Sequence, residues 1–110
     1  MADENEKPKD PIPSDLVSQD GSFADLVQEF IDGLGGRMAE METAVSNGDY
    51  QALKRLAHQL KGSGGGYGYP DLTNLAAEIE QHALSEGLAA CQQALDELKI
   101  LVSRVVVKLD

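Results

Sequence analysis

The chain has 110 residues, a formal net charge of −10 and one cysteine. Its length suits a single domain with one hydrophobic core. The 19 acidic residues outweigh the 9 basic ones, which argues against nucleic acid and anionic membranes as general partners. The lone Cys91 excludes an internal disulfide and fits a reducing compartment.

The N-terminus carries no sign of an export signal. The first ten residues, MADENEKPKD, are charged and lack the apolar centre of a secretory signal. The longest apolar stretch, 100–107, is interrupted by Ser103 and Arg104 and is far shorter than the roughly 20 residues that span a bilayer. These features predict a cytoplasmic protein.

Residues 1–20 are predicted to form a flexible acidic tail, with the folded domain over 21–110. The segment has six acidic residues against two basic ones, three prolines and few apolar side chains. Such a composition buries too little apolar surface to offset the entropy that ordering costs. The alternative within this segment is a short helix over 14–18 with Ser14 as its N-cap.

The first long helical pattern begins after Ser22, a candidate N-cap. Apolar residues then recur every three or four positions, at Phe23, Leu26, Val27, Phe30 and Leu34 and again at Met38, Met41 and Val45. The glycines at 33, 35 and 36 weaken the pattern and predict a break or kink there. Asn47-Gly48 is a typical helix end.

Three more helices follow in the pattern. Asp49 is a candidate N-cap for the second helix, and Pro70 suits the first turn of the third. The apolar stripes are Leu53, Leu56, Ala57 and Leu60; then Leu72, Leu75, Ala76, Ile79 and Ala83; and finally Leu88, Cys91, Leu95, Leu98, Val102, Val105 and Leu109. The last helix is predicted to reach the C-terminus, because its periodicity is sustained and 105–107 has no visible partner strand.

Helices joined by short loops favour antiparallel neighbours. The pattern therefore predicts an all-α fold, an up-and-down antiparallel four-helix bundle with an additional N-terminal helix. That additional helix, around Phe23, either covers one end of the bundle or continues into the first bundle helix. Met38 and Met41 are expected to pack in the core rather than line a cofactor site.

His58 is the residue best placed to carry chemistry. On a helical wheel it lies about 140° from the start of its helix's apolar stripe, so it is expected to be exposed. Lys54 and Lys61, at i−4 and i+3, share its face. Neighbouring ammonium groups keep an imidazole neutral and nucleophilic and attract a phosphoryl group. Gly62 and Gly65, at i+4 and i+7, leave room for another protein to reach the ring.

The five glycines between 62 and 68 leave two interpretations of the helix end. Each glycine inside a helix costs about 1 kcal/mol relative to alanine, which favours a helix that ends at Lys61 before a flexible loop. Continuation would need a neighbouring helix packed tightly against Gly64. The cluster lacks both the G-x-G-x-x-G spacing and the closing Gly-Lys-Ser/Thr of a phosphate-binding loop.

His82 and Cys91 are expected to be structural. His82 lies at the edge of an apolar face without a lysine beside it, and Cys91 lies on the core stripe of its helix. A metal site built from these two residues and His58 would lack a fourth ligand, so no metal site is predicted.

The chain around His58 resembles the signature of a known protein family. Histidine-phosphotransfer (HPt) domains carry a pattern of His, any residue, Leu, Lys, Gly, Ser, small residues, an aromatic residue or Leu, then Gly, which is similar to the run His58-Gln59-Leu60-Lys61-Gly62-Ser63-Gly64-Gly65-Gly66-Tyr67-Gly68. The resemblance extends upstream to Asn47-Gly48-Asp49 and downstream to Ile79-Glu80, and covers roughly 23–109. It implies a helix that continues through the glycines to about Tyr67.

The resemblance also assigns roles to residues. It implies that His58 is the phosphoacceptor, through Nε2, that Lys61 stabilises the phosphoryl charge and that Gln59 is a candidate phosphoryl contact. Ser63 is expected to steady the helix by local hydrogen bonding. The expected partner-docking residues are Lys54, Gly62 and Gly65, and the structural motif includes Ser63, Gly64 and Gly68.

By the same resemblance, the chain is a phosphocarrier of a two-component phosphorelay rather than a self-sufficient enzyme. Its expected partners are receiver domains of response regulators or hybrid histidine kinases, which would bring the aspartate and the Mg²⁺. The chain itself is expected to be a monomer without a bound cofactor, free-standing rather than part of a larger kinase. The alternative is a non-phosphorylated helical module that docks receiver or kinase domains; the presence of His58 with Lys61 argues against it.

Overall fold

The computed structural model describes residues 10–109, and this range contains five α-helices and one 3₁₀ turn. The elements are α1 (Asp15–Gln19), the 3₁₀ turn (Gly21–Phe23), α2 (Ala24–Ser46), α3 (Tyr50–Gly66), α4 (Pro70–Leu84) and α5 (Leu88–Arg104). Helix α2 packs on α3 and α5, and α4 also packs on α3 and α5, so the four long helices close a ring. This is the predicted four-helix bundle.

The core lies inside this ring, where each long helix contributes one apolar stripe. Its largest fully buried aliphatic side chains include Leu34, Met41, Leu53, Leu60, Leu72, Ile79 and Leu98. Burial of such side chains is the main favourable contribution to folding. Met38 and Met41 pack in this core, as predicted. No helix within 10–109 is long and apolar enough to cross a membrane.

Helix α2 continues without interruption through the glycines at 33, 35 and 36, so the predicted break is wrong. Leu34 and Met38 on its inner face are buried. Tertiary packing of an apolar face stabilises a helix more than residue propensity does, and here it outweighs the glycines. Nothing lies within 4 Å of the Cβ positions of these three glycines, so they leave part of the outer surface of α2 bare.

The N-terminal end of α2 also differs from the prediction. Phe23 lies in the 3₁₀ turn and leads directly into α2, which is one of the two predicted alternatives. The side chain of Asp20, rather than Ser22, acts as a cap: it accepts a hydrogen bond from the Ser22 amide at 3.0 Å. An aspartate before a turn satisfies a free amide as well as serine does.

Residues 10–20 pack against the bundle, which corrects the predicted flexible tail over this range. The Ile12 amide donates to the Arg104 carbonyl at 2.7 Å. Ser14 is buried and caps α1, as the alternative prediction stated, and Val17 joins the core. Few apolar residues suffice here because backbone hydrogen bonds to the end of α5 accompany them. Positions 1–9 of the predicted tail lie outside the described residues.

Helix α5 ends at Arg104, so its predicted continuation to Leu109 is wrong. Val105 is extended and forms an isolated parallel bridge with Ile12. The Val106 amide donates to the Ile12 carbonyl at 2.9 Å. The bridge partner of these valines is thus Ile12, near the other end of the chain, which the sequence pattern did not reveal.

Candidate functional site

His58 lies in the middle of α3 with 67% of its side chain exposed. Asp49 begins the helix by accepting a hydrogen bond from the Ala52 amide at 3.0 Å. The inner stripe that fixes the rotation of the helix is Leu53, Ala57, Leu60 and Gly64, all buried. His58 therefore faces outward, and its predicted exposure is confirmed.

A carboxylate from the neighbouring helix lies beside this histidine. Glu80 of α4 places Oε2 at 3.1 Å from Nδ1 of His58 and Oε1 at 2.7 Å from Nζ of Lys61. The Glu80 side chain is only 15% exposed. The hydrogen bond from Lys61 lowers the pKa of Glu80; burial opposes this effect and the contact with His58 adds to it. The carboxylate is therefore ionised at neutral pH.

Close packing at Gly64 sets the position of α3 against α4. A Cβ atom on Gly64 would lie 2.9 Å from Cβ of Leu72 and 3.1 Å from the amide nitrogen of Thr73. The hydroxyl of Thr73 donates across the interface to the Lys61 carbonyl at 2.7 Å. The predicted tight packing is confirmed, and α3 continues to Gly66 as the family resemblance implies. The interpretation that the helix ends at Lys61 is wrong.

The position of Glu80 beside His58 could not be predicted from local sequence spacing. Glu80 and His58 are separated by 22 positions in sequence, and no local spacing connects residues on different helices. Their proximity depends on the register of α3 against α4, which the contact at Gly64 fixes. The signal present in the sequence was that Glu80 directly follows Ile79, which lies on the apolar face predicted for the next helix.

The two glycines assigned to partner docking have different surroundings. Nothing lies within 4 Å of the Cβ position of Gly62, so the space beside His58 is open. The Cβ position of Gly65 instead faces the Thr73 hydroxyl at 3.1 Å, so this glycine also serves the packing of α3 on α4. Lys54 is partly buried one turn before His58. The docking roles of all three residues stay predictions.

The remaining motif residues shape the end of α3. The Ser63 hydroxyl donates to the Gln59 carbonyl at 2.8 Å, which matches the local hydrogen bond expected of it. Gln59 is exposed next to His58, and its contact with a phosphoryl group stays a prediction. Gly68 follows the helix with a φ of +96°, which favours glycine, and its carbonyl accepts from the Asp15 amide at 2.8 Å.

His82 and Cys91 have the positions expected of structural residues. His82 is partly buried in the last turn of α4. Cys91 is fully buried, and burial raises the pKa of its thiol. Over residues 10–109, no group of three or more His, Cys, Asp or Glu side chains is arranged to hold a metal ion.

A comparison with protein-family models matches the Hpt domain to residues 25–107. Searches of curated proteins and of solved structures gave no match. The matched range contains His58, Lys61 and Glu80 together with α3, α4 and α5 and nearly all of α2. The chain therefore belongs to the Hpt domain family, the phosphotransfer modules of two-component systems.

Proposed function

We propose that the chain carries a phosphoryl group on Nε2 of His58 and exchanges it with the aspartate of a receiver domain. The observation that supports this proposal most is the exposed imidazole with an ionised carboxylate 3.1 Å from its Nδ1. A carboxylate can only accept a hydrogen bond, so in the neutral ring Nδ1 bears the proton. Nε2 then holds the free lone pair.

The forward step needs little from this chain beyond a positioned nucleophile. The Nε2 lone pair attacks the phosphorus of the receiver's phosphoaspartate and forms the N–P bond. The P–O bond to the aspartate breaks, and the carboxylate leaves with the electron pair. No general base is required, because the attacking nitrogen has no proton to lose.

Lys61 is the cation closest to this chemistry in the motif. Its side chain is 36% exposed, and its ammonium group contacts Oε1 of Glu80 at 2.7 Å. A lysine side chain is flexible, so Nζ can turn to the oxygens of an arriving phosphoryl group and offset their charge. The Mg²⁺ on the receiver would stabilise the same charge from the opposite side.

Access to Nε2 is open. The imidazole is 67% exposed, and the neighbouring Gly62 position has no atom within 4 Å of its Cβ direction. Lys54 and Lys61 outnumber the carboxylate of Glu80 on this face, which leaves it with a small positive charge on a chain of net charge −10. Such a face attracts a partner whose site is built from carboxylates. The acidic remainder of the chain's surface repels that site and so disfavours other docking orientations.

Transfer from a phosphorylated receiver domain tests the proposal. Wild type, His58→Gln and His82→Gln are incubated side by side with the donor and Mg²⁺; His82 is the matched control because it is the only other histidine. We expect label on wild type and His82→Gln, none on His58→Gln, and equal helical content in all three. Label on His58→Gln would remove His58 from this role. Absence of label on every variant, with several receivers tried, would favour the non-phosphorylated docking module.

A further inference from the structure

We propose that the N-terminal segment 10–19, the strap, is a conformational device that keeps the glycine-rich last turn of α3 wound. While the strap is bound, the face that presents His58 is ordered; when the strap is released, the turn frays and the face loses part of its structure. The consequence for phosphoryl transfer rests on the proposed function. The basis is a set of hydrogen bonds between the strap and the residues that follow α3.

The strap is bonded to the two residues that come directly after α3. The Ser14 hydroxyl donates to the Tyr67 carbonyl at 2.7 Å, and the Asp15 amide donates to the Gly68 carbonyl at 2.8 Å. Ser14 is fully buried in this contact. A Cβ atom on Gly68 would lie 2.8 Å from the Asp15 amide nitrogen, so the strap binds where Gly68 has no side chain. The strap therefore covers the C-terminal cap of α3.

This cap satisfies the carbonyl groups of the glycine-rich turn. The Gly68 amide donates to the Gly65 carbonyl at 3.1 Å, and the Tyr69 amide donates to the Gly64 carbonyl at 2.8 Å. These are the paired bonds of a Schellman motif, with Gly68 in the positive-φ position. Four of the five residues 62–66 are glycines, which have the poorest helix propensity after proline. The last turn is therefore the part of α3 that depends most on its cap.

The strap is less firmly held than the helices of the bundle. Its helix α1 has only five residues, too few to be stable alone, and Val17 is its one fully buried apolar side chain. Phe30 of α2 supports the cap from the other side by stacking on Tyr67, with 4.6 Å between ring centroids, but α2 contains seven buried residues. Segments with few buried apolar groups open at the lowest free energy. The strap can therefore leave while the bundle stays folded.

Fraying of the turn would alter the phosphotransfer face without unwinding the helix at His58. Gly62, whose surroundings are open, lies at the start of this turn. Gly65 packs on Thr73, whose hydroxyl donates to the Lys61 carbonyl at 2.7 Å. Loss of the turn thus removes ordered backbone from the docking surface and one support of Lys61. A partner would then have to order the turn as it binds, which weakens binding.

Hydrogen exchange followed by NMR tests the role of the strap without phosphoryl transfer. Ser14→Leu is too large for its buried site and should expel the strap, whereas Ser14→Ala removes only the hydroxyl. Ser18→Leu is the control, because Ser18 is an exposed residue of the same strap. We expect the Tyr67 and Tyr69 amides to exchange about tenfold faster in Ser14→Ala and about a hundredfold faster in Ser14→Leu, with a much smaller change at Ala57. Equal acceleration at Tyr67 and Ala57, or none at Tyr67, would overturn the inference.

Single-turnover transfer from a phosphorylated receiver tests the consequence for function. We expect Ser14→Leu to need about threefold to tenfold more receiver for half-maximal rate, since binding weakens in proportion to the fraction of molecules whose face is ordered. Ser18→Leu should match wild type. Faster exchange at Tyr67 together with wild-type transfer would refute the link between the strap and the His58 face. Absence of label on wild type would instead reject the proposed function, and the exchange pattern alone would decide whether the strap holds the turn.

Discussion

A Cβ atom on Gly64 would lie 2.9 Å from Cβ of Leu72, so α3 and α4 meet where only a hydrogen atom fits. The close approach fixes the register of the two helices. It places the Thr73 hydroxyl on the Lys61 carbonyl and, further along the same interface, Glu80 beside His58. The glycine of the motif thereby contributes to the geometry of the site without touching it.

Gly64→Ala is expected to destabilise the fold by about 1–3 kcal/mol. Overlap of the new methyl group with α4 outweighs the gain of about 1 kcal/mol in helix propensity. Gly36→Ala in α2 is the matched control, because nothing lies within 4 Å of its Cβ position, and it is expected to stabilise by about 0.5–1 kcal/mol. Urea unfolding measures both. Equal stabilities for the two variants would contradict the close contact.

Gly68→Ala tests the docking of the segment before the bundle. A Cβ at Gly68 would lie 2.5 Å from the Leu16 amide nitrogen, and its φ is +96°. Gly48 also has a positive φ, +65°, but open surroundings. Gly48→Ala should cost about 1–2 kcal/mol from backbone strain alone. Gly68→Ala should cost about 1–3 kcal/mol more, from overpacking. Equal costs in thermal or denaturant unfolding would show that residues 12–17 are not held on Gly68.

Lys61→Ala is expected to slow phosphoryl transfer by about tenfold to a hundredfold with an unchanged helical spectrum, because it removes a cation that offsets phosphoryl charge. Lys54→Ala is the comparison variant on the same face. Its effect should appear in the receiver concentration needed for half-maximal rate, since its predicted role is docking. Single-turnover rates across receiver concentrations separate the two effects. An unchanged saturating rate for Lys61→Ala would exclude it from the mechanism.

Glu80 should also make stability depend on pH. Its folded-state pKa is lowered, chiefly by the hydrogen bond from Lys61, so its contribution is present above the unfolded value of about 4.3 and is lost as pH falls through the folded value. The difference in unfolding free energy between wild type and Glu80→Gln should therefore be largest near neutral pH and shrink in acid. A difference that is constant from neutral pH to acid would contradict this ion pair.

Sequence periodicity correctly predicted those features of the fold that depend on which face of a helix is buried. The inner stripes of α3 and α4 and the exposed face of His58 follow from a repeat of 3.6 residues. Helix propensity wrongly predicted an interruption at both glycine clusters, because packing stabilised α2 around Leu34 and α3 around Gly64. For α3, the family signature implied that the helix continues through the glycines, against the expectation from helix propensity. No such signature covers the glycines of α2.

Pairings between distant segments could not be read from the sequence. The bridge between Ile12 and Val105 joins residues near opposite ends of the chain and ends α5 early. The pair of Glu80 with His58 depends on helix register, which no local pattern encodes. The motif therefore singled out His58 and Lys61, and only the three-dimensional arrangement revealed Glu80, whose carboxylate contacts both side chains.

Nε2 of His58 is the atom proposed to bear the phosphoryl group. The most direct measurement is NMR of nitrogen-15-labelled wild-type chain after incubation with a phosphorylated receiver and Mg²⁺, with the linkage followed in acid and alkali. We expect phosphorus–nitrogen coupling at Nε2 of His58 and a linkage that is acid-labile and alkali-stable. A phosphoryl group found on Nδ1, on His82 or in an acid-stable linkage to another residue would contradict it.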